Sequence, residues 1–217
     1  AEYQKQGIDF FVGAKVTELQ NNKVLFTDNQ GNEQSIDTEK ILLCVGRKPS
    51  LKGIEILDLE PFRNGIKVND KMQTSKTNGY AAGDITAFSM LAHTAVREAE
   101  VAVNNIVGKS DTMAYNAVPA VVYTNPEVAG VGLTEDELKA QGRSYSVRKL
   151  PMTFSGRFVA ENEGGNGLCK LIFDDRNTIV GCHMIGNPSS EIIAVAALAI
   201  EQQLTAKRFE KLIFPHP

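Results

Sequence analysis

The feature that most constrains the fold is an uninterrupted apolar run, Ile41–Val45, with the sequence ILLCV. A run without alternating polar residues predicts a β-strand that is covered on both faces, as in a parallel sheet. Such a strand needs parallel neighbours. The residues before it predict only a small meander, so the partners of this strand are expected to lie outside the 217 residues.

The residues before this run predict short elements. Residues 1–6 have the pattern of a helix tail that Gly7 ends, because glycine readily takes the left-handed conformation found there. The three predicted strands of the meander are Asp9–Val16, Lys23–Thr27 and a strand around Glu33–Ile36, with a turn at Asn29–Asn32 before the third.

A second informative segment joins a short strand, Tyr80–Ala82, to a helix over Met90–Val107, which Ser89 is predicted to cap. Between them, Gly83 allows a ligand to approach the backbone, and Asp84 follows a strand's carboxyl end, where α/β sheets bind ligands. The helix start offers free N–H groups and the positive end of a dipole to an anion. For a bare Gly-Asp pair, a simple turn or capping role would be the preferred interpretation.

From Ala117 onward the pattern changes to short strands with turns between them. A capping box at Thr134–Glu137 opens a short helix that Gly142 ends, and Glu191–Glu201 is a helix that is apolar on nearly all sides. We expect neighbours to cover this helix on several sides, which suggests a subunit interface. The predicted strands are residues 118–123, 128–132, 145–150, 167–174 and 178–186.

Composition excludes several classes of protein. Lys plus Arg is 23 and Asp plus Glu is 26, so the net charge is 23 − 26 = −3, and no basic block indicates a nucleic-acid partner. The longest apolar stretch, Ile192–Ile200, is far shorter than the roughly 20 residues that span a membrane. The first ten residues lack the apolar core of a signal peptide.

The three cysteines, Cys44, Cys169 and Cys182, are odd in number and form no short-spaced pair. Neither a disulfide framework nor a metal site is therefore expected, and each cysteine is interpreted as a small buried residue of a strand. Together with the absence of targeting signals, this predicts a cytoplasmic protein.

Six strings of residues, in order along the chain, carry a family resemblance. They are V-G-R-x-P at 45–49, T-S-K-T-N-G-Y-A-A-G-D at 74–84, M-L-A-H at 90–93, V-Y-T-N-P-E-V-A-G-V-G-L-T-E at 122–135, G-N-P at 186–188 and H-P at 216–217. Together they resemble the pyridine-nucleotide disulfide oxidoreductases, and M-L-A-H with P-E-V-A favours the dihydrolipoyl dehydrogenases among them. The resemblance implies an α/β chain: a remnant of a Rossmann-like NAD domain, a central segment that contacts FAD, and a dimerisation domain of antiparallel sheet and helices.

The resemblance also implies roles for individual residues. Asp84 would accept a hydrogen bond from the ribityl chain of FAD, and Gly46 and Val16 would border the nicotinamide nucleotide. His216 would be the catalytic base that takes a proton from the substrate dithiol, at the flavin of the partner subunit. The residues expected to line the flavin are Met90, Leu91, Ala92 and His93.

The domain bounds implied by the resemblance are 1–48 for the end of the NAD domain, 49–115 for the central domain and 116–217 for the interface domain, truncated at its C-terminus. No G-x-G-x-x-G loop and no C-x4-C redox pair occurs in the 217 residues. We therefore expect the C-terminal portion of a longer enzyme, inactive in hydride transfer by itself. The full-length enzyme would use FAD and NAD, form a homodimer and serve lipoyl domains of 2-oxoacid dehydrogenase or glycine cleavage complexes.

Two alternatives remain open from the sequence. The first keeps the fold and changes the substrate, as in a reductase of glutathione or of mercuric ion. The second is that these residues act by themselves as a non-catalytic dimerisation module. This hypothesis would explain the apolar helix at Ile192–Ile200.

Overall fold

The computed structural model describes residues 2–216, which form two units that divide between Arg47 and Lys48. Each unit has its own secondary structure and is described separately. Of the terminal residues interpreted above, Ala1 and Pro217 lie outside the described range.

The N-terminal unit is a short helix followed by a three-stranded antiparallel meander in the order β1-β2-β3. Strands β2 and β3 match the prediction. The first predicted strand is wrong over residues 9–14, because β1 begins only where a partner strand is in reach, with Lys15 opposite Thr27. The bounds are α1 Glu2–Lys5, β1 Lys15–Gln20, β2 Lys23–Thr27 and β3 Glu33–Asp37.

The apolar run Ile41–Val45 does not form the predicted strand. It has no ladder partner within the described residues, and Leu42 and Val45 are 88% and 83% exposed. The prediction that Cys44 is buried is wrong for the same reason, since that residue is also exposed. A strand is stable only when its backbone groups pair with a neighbour, so hydrophobicity alone does not produce one.

The C-terminal unit begins with a small hairpin of β4, Pro61–Phe62, and β5, Gly65–Ile66. The strand predicted at residues 80–82 is reduced to one bridge between Tyr80 and Gln73. The long helix forms as α2, Ala92–Ile106, two residues later than predicted.

The rest of this unit is a five-stranded antiparallel sheet in the order β6-β7-β10-β9-β8. All five strands fall within the predicted segments or within one residue of them. The central strand β10 places Cys182 between Val131 of β7 and Leu171 of β9. The bounds are β6 Ala120–Val122, β7 Val128–Gly132, β8 Tyr145–Pro151, β9 Leu168–Asp174 and β10 Ile179–Ile185.

Four helices accompany this sheet. The capping box is confirmed at α3, where the Thr134 hydroxyl oxygen accepts from the Glu137 N–H and the Glu137 carboxylate accepts from the Thr134 N–H. Two short helices, α4 and α6, were not predicted. The bounds are α3 Glu135–Ala140, α4 Gly156–Glu161, α5 Ser189–Glu201 and α6 Ala206–Phe209.

Helix α5 packs its buried face, which includes Ile193 and Ile200, on β7 and β10 in the main core. Its other face is apolar as well, and Leu198 there is 58% exposed. In the residues that the structure describes, no helix has the length and hydrophobicity needed to cross a bilayer.

Candidate functional site

The site is built around the turn that contains Gly83 and Asp84. Gly83 has φ 83° and ψ −159°, a conformation that residues with a Cβ rarely adopt, and it precedes a 3₁₀ turn over Asp84–Thr86. Thr86 fixes this turn, because its N–H and its hydroxyl both donate to the Gly83 carbonyl, at 2.9 and 3.0 Å. The sequence therefore needs glycine at this position for conformational reasons.

The Asp84 side chain is exposed and has no hydrogen-bond partner among residues 2–216. Both oxygens of such a carboxylate can accept hydrogen bonds from a ligand. The turn-and-cap interpretation of Asp84 accounts for its backbone, since the Ala87 N–H donates to the Asp84 carbonyl, and it leaves the side chain free for a ligand.

The N-terminus of α2 lies beside this turn. A Cβ added to Gly83 would meet the Ala95 Cβ at 3.5 Å, which places the turn against the first turn of the helix. The N-cap residue is Leu91, and no side chain caps it within the described residues. The predicted cap Ser89 is wrong, because its hydroxyl pairs with the Thr94 hydroxyl at 2.9 Å instead. The first N–H groups of α2 and its positive dipole end are thus available to a ligand.

The segment predicted to line the flavin is at this helix start. Met90 and Leu91 are half-buried, while Ala92 and His93 are exposed. The His93 Nε2 lies 2.8 Å from the Pro119 carbonyl oxygen, so that nitrogen donates to the carbonyl. A contact between the His93 backbone and the flavin stays a prediction.

Sequence reasoning missed the group that holds the turn from below. Glu98 is completely buried on α2, and its carboxylate accepts from the Gly83 N–H at 2.5 Å and from the Tyr115 hydroxyl at 2.6 Å. Thr94, Glu98 and Val101 share the buried face of α2 at helical spacing. A glutamate in line with the buried positions of a helix was therefore a sequence signal by which Glu98 could have been found.

Three stacked rings support the other side of the loop. Phe88 stacks on Phe62 and on Tyr115, with ring centroids 4.7 Å apart in both pairs. Arg63 lies over the Phe62 ring and donates from Nη1 to the Ala87 carbonyl at 3.2 Å. The loop that carries Asp84 is therefore held by contacts on two sides.

The residues predicted to border the nicotinamide lie in the N-terminal unit. Val16 belongs to β1, is 57% exposed and pairs with Phe26 of β2. Gly46 directly follows the apolar run Ile41–Val45 and has φ 93°. The structure describes no contact between these two residues, and their role stays a prediction.

His216 is exposed near the end of the described chain and has no hydrogen-bond partner within it. The preceding Phe214 packs against Phe209 with centroids 6.0 Å apart. Phe214 also lines a pocket of about 740 Å³ together with Met152, Phe158 of α4 and Ile192 of α5. The structure does not bring His216 to Asp84 by any described contact, and the role of His216 at a partner subunit stays a prediction. His183, by contrast, is a partly buried histidine with a hydrogen-bond partner, its Nε2 lying 3.1 Å from the Leu133 carbonyl oxygen.

The donor and acceptor set at the turn fits FAD. Asp84 offers an acceptor for a ribityl hydroxyl, and the uncapped N-terminus of α2 offers donors to the pyrimidine carbonyl end of a flavin. No cluster of three metal-ligating side chains occurs in residues 2–216.

Comparison with known proteins gives the class. The family model for the pyridine nucleotide-disulphide oxidoreductases matches residues 1–99, and the model for the dimerisation domain of the same family matches residues 118–217. The chain therefore belongs to the pyridine nucleotide-disulphide oxidoreductase family.

Within this family, the chain is similar to proteins named dihydrolipoyl dehydrogenase. The chain is 38% identical over 218 residues to dihydrolipoyl dehydrogenase of Mycoplasma pneumoniae, covering 99% of this chain and 47% of the relative. It is 33% identical over 225 residues to the human mitochondrial dihydrolipoyl dehydrogenase, covering 99% and 44%. The chain thus spans about half the length of these curated relatives.

Solved structures have the same fold. LpdA from Mycobacterium tuberculosis matches with a TM-score of 0.85 at 23% identity, over 100% of this chain and 48% of that one. The HOCl-induced flavoprotein disulfide reductase RclA from Escherichia coli matches with a TM-score of 0.78 at 21% identity, over 99% and 50%. The predicted fold class is confirmed by this likeness.

Proposed function

We propose that this chain is the C-terminal part of an FAD-dependent dihydrolipoyl dehydrogenase, which oxidises dihydrolipoyl groups and reduces NAD. The observation that carries the flavin assignment is the free Asp84 carboxylate beside the uncapped start of α2. The identity to dihydrolipoyl dehydrogenases over essentially the whole chain supports the choice of substrate. Within this proposal, the domain bounds are 1–48, 49–115 and 116–217.

In this proposal, FAD supplies the transfer of a hydride between the enzyme's dithiol–disulfide pair and NAD. The chain's own residues bind and orient the cofactor. Asp84 accepts from the ribityl chain, and the first N–H groups of α2, at Ala92 and His93, stabilise negative charge at the pyrimidine end. Because the turn is anchored on both sides, these groups are in place before the cofactor arrives, which lowers the entropy lost on binding.

His216 is proposed as the catalytic base. Oxidation of a dithiol releases protons, and the attacking species is the thiolate. Histidine can accept such a proton near neutral pH. Its exposure and lack of a partner within the described residues leave its ring free for a substrate and for groups of another subunit.

The nicotinamide nucleotide is proposed to bind along the N-terminal unit, bordered by Gly46 and Val16. Gly46, with φ 93°, allows close approach of a ligand to the backbone. Gly46 and Val16 are both exposed, which leaves them accessible to a nucleotide.

The proposed assembly is a homodimer that serves the lipoyl domains of 2-oxoacid dehydrogenase or glycine cleavage complexes. The match of residues 118–217 to a dimerisation domain supports the homodimer. So do the exposed apolar residues of α5, with Leu198 58% and Ile192 42% exposed. The three unpaired cysteines accord with a reducing compartment, and we place the protein in the cytoplasm.

The test is to express the full-length protein and measure its flavin absorbance and its dihydrolipoamide-dependent formation of NADH. We expect both, and we expect His216→Ala to lower the rate by about 10² or more, the scale of a lost general base. His183→Ala serves as the matched histidine control outside the proposed chemistry, and its flavin content should equal that of the wild type.

Three results would contradict parts of the proposal. A full-length protein without flavin refutes the cofactor assignment. A flavoprotein that reduces glutathione or mercuric ion and ignores dihydrolipoamide refutes the substrate. A His216→Ala rate equal to the wild type removes His216 from the reaction.

A further inference from the structure

The completely buried carboxylate of Glu98 is one of the contacts that hold the turn, and the function proposed so far assigns it no role of its own. It forms no ion pair with any basic side chain of the described residues 2–216. Its neighbour Arg97 points elsewhere, to Asp111 at 2.6 Å. Burying a carboxylate without a cation is unfavourable unless hydrogen bonds replace the lost water. Glu98 has such hydrogen bonds, and their donors indicate which part of the molecule it holds.

The hydrogen bonds of Glu98 lead to the residue before Asp84. The Gly83 N–H donates to Glu98 Oε2 at 2.5 Å, while the Gly83 carbonyl accepts from the Thr86 hydroxyl at 3.0 Å. The peptide groups on both sides of Gly83 are therefore anchored. Since Asp84 follows directly, these two anchors set the position from which its free carboxylate extends.

Glu98 is itself held in one orientation. The Tyr115 hydroxyl donates to Glu98 Oε1 at 2.6 Å, and the Tyr115 ring stacks on Phe88 at 4.7 Å. Burial, and next the hydrogen bond to Glu98, raise the pKa of Tyr115 above its ordinary value, so its hydroxyl keeps its proton and remains a donor. The chain of contacts runs from Tyr115 through Glu98 and Gly83 to Asp84.

We propose that Glu98 is a positioning residue for the flavin: by holding the Gly83 amide, it fixes the Asp84 carboxylate in the place where it accepts from the ribityl chain. The inference rests on the proposed function, because it assigns Glu98 a purpose through the cofactor that Asp84 binds. The competing explanation is that Glu98 only stabilises the fold.

The experiment compares two substitutions of nearly equal size in the full-length protein. Glu98→Gln keeps an oxygen that can accept from the Gly83 N–H, and Glu98→Leu has none. Glu100→Gln is the matched control, because it makes the same charge change at an exposed position of the same helix. The readout is the dissociation constant of FAD, measured by flavin fluorescence on apoprotein.

We expect Glu98→Leu to raise the FAD dissociation constant about tenfold, the scale of one displaced hydrogen bond. Glu98→Gln and Glu100→Gln should both stay within about threefold of the wild type. Loss of affinity in Glu98→Gln equal to that in Glu98→Leu would overturn the proposal, because the accepting oxygen would then not be what matters.

A double-mutant cycle separates positioning from general stability. If Glu98 acts through Asp84, then Glu98→Leu should not weaken FAD binding further in an Asp84→Ala background. If the two effects multiply, Glu98 acts independently of Asp84 and the proposal is wrong. Should Glu98→Leu fail to fold, Tyr115→Phe takes its place: we expect a rise of about threefold that disappears in the Asp84→Ala background, and no rise overturns the proposal.

The outcomes also separate this inference from the function on which it rests. A wild-type protein that binds no FAD refutes both. If the wild-type protein binds FAD, Asp84→Ala weakens that binding and Glu98→Leu leaves it unchanged, then only the role of Glu98 is refuted.

Discussion

The two units of the chain use their apolar residues differently. In the described part of the N-terminal unit, Phe26 is the only buried hydrophobic side chain, whereas Leu42, Val45 and Val12 are at least 80% exposed. In the C-terminal unit, a continuous core joins the five-stranded sheet to α5. Similar apolar runs thus lead to a packed strand in one unit and to an exposed, unpaired segment in the other.

The difference lies in partners rather than in the segments themselves. Strand β10 has a neighbour on each side, β7 and β9, and therefore pairs its backbone on both edges. Ile41–Val45 has no strand partner within residues 2–216 and stays unpaired and exposed. Without a pairing partner, the backbone groups of an apolar run gain no ladder hydrogen bonds, and here its side chains also stay exposed.

The largest expected effect tests this contrast with one kind of substitution in each unit of the 217-residue chain. Leu138 of α3 is fully buried, so Leu138→Ala should lower the free energy of unfolding by about 2–5 kcal/mol. Leu42→Ala, at an exposed position, should change it by less than about 0.5 kcal/mol. Urea unfolding followed by far-UV circular dichroism measures both.

A large loss of stability in Leu42→Ala would break the comparison. It would mean that the run at residues 41–45 is packed in the folded chain in solution. Equal, small effects at both positions would instead show that the C-terminal core is looser than its burial indicates.

The same contrast explains how much the sequence could predict. The five strands of the sheet and the capping box at Thr134 were predictable because alternation, turn residues and caps act over a few residues. The outcome at Ile41–Val45 was not predictable from the run itself. An apolar run forms a strand only where a distant segment of the chain supplies a pairing partner. Helix α4 was missed because it is short and begins with Gly156, although Ser155 caps it by accepting from the Phe158 N–H.

The candidate site divides in the same way. Asp84 and the segment Met90–His93 were found from the order of motifs, and the structure places them at one helix start. Glu98 could have been found from its inward position on α2. Tyr115 could not, because it lies in a short 3₁₀ helix 17 residues further along the chain, and only the fold brings its hydroxyl to the carboxylate.

A smaller effect sharpens the role of local signals. Thr134→Ala removes the cap of α3 and should lower the free energy of unfolding by about 1 kcal/mol. Thr153→Ala is the matched control, because Thr153 is exposed and makes no side-chain hydrogen bond among the described residues. Thermal or urea unfolding measures both variants. If the two are equal, the capping box only marks the helix start and does not stabilise it.

The smallest expected effect concerns a surface carboxylate of the C-terminal unit. Hydrogen bonds from Arg97, at 2.6 and 2.8 Å, and then from Asn104 hold the pKa of Asp111 at about 2, below its ordinary value. A lowered pKa means that this contribution to stability is fully present above about pH 4, the value in the unfolded chain, and is lost as the pH falls towards about 2. The pair is partly exposed, so the effect is small.

Asp111→Asn should therefore lower the melting temperature slightly at pH 7, and its difference from the wild type should shrink as the pH falls from about 4 to about 2. Asp136→Asn is the matched control, since Asp136 pairs with Lys139 at 3.4 Å with 94% of its side chain exposed, and it should have no measurable effect. A difference between Asp111→Asn and the wild type that does not shrink on acidification would show that titration of Asp111 is not its cause.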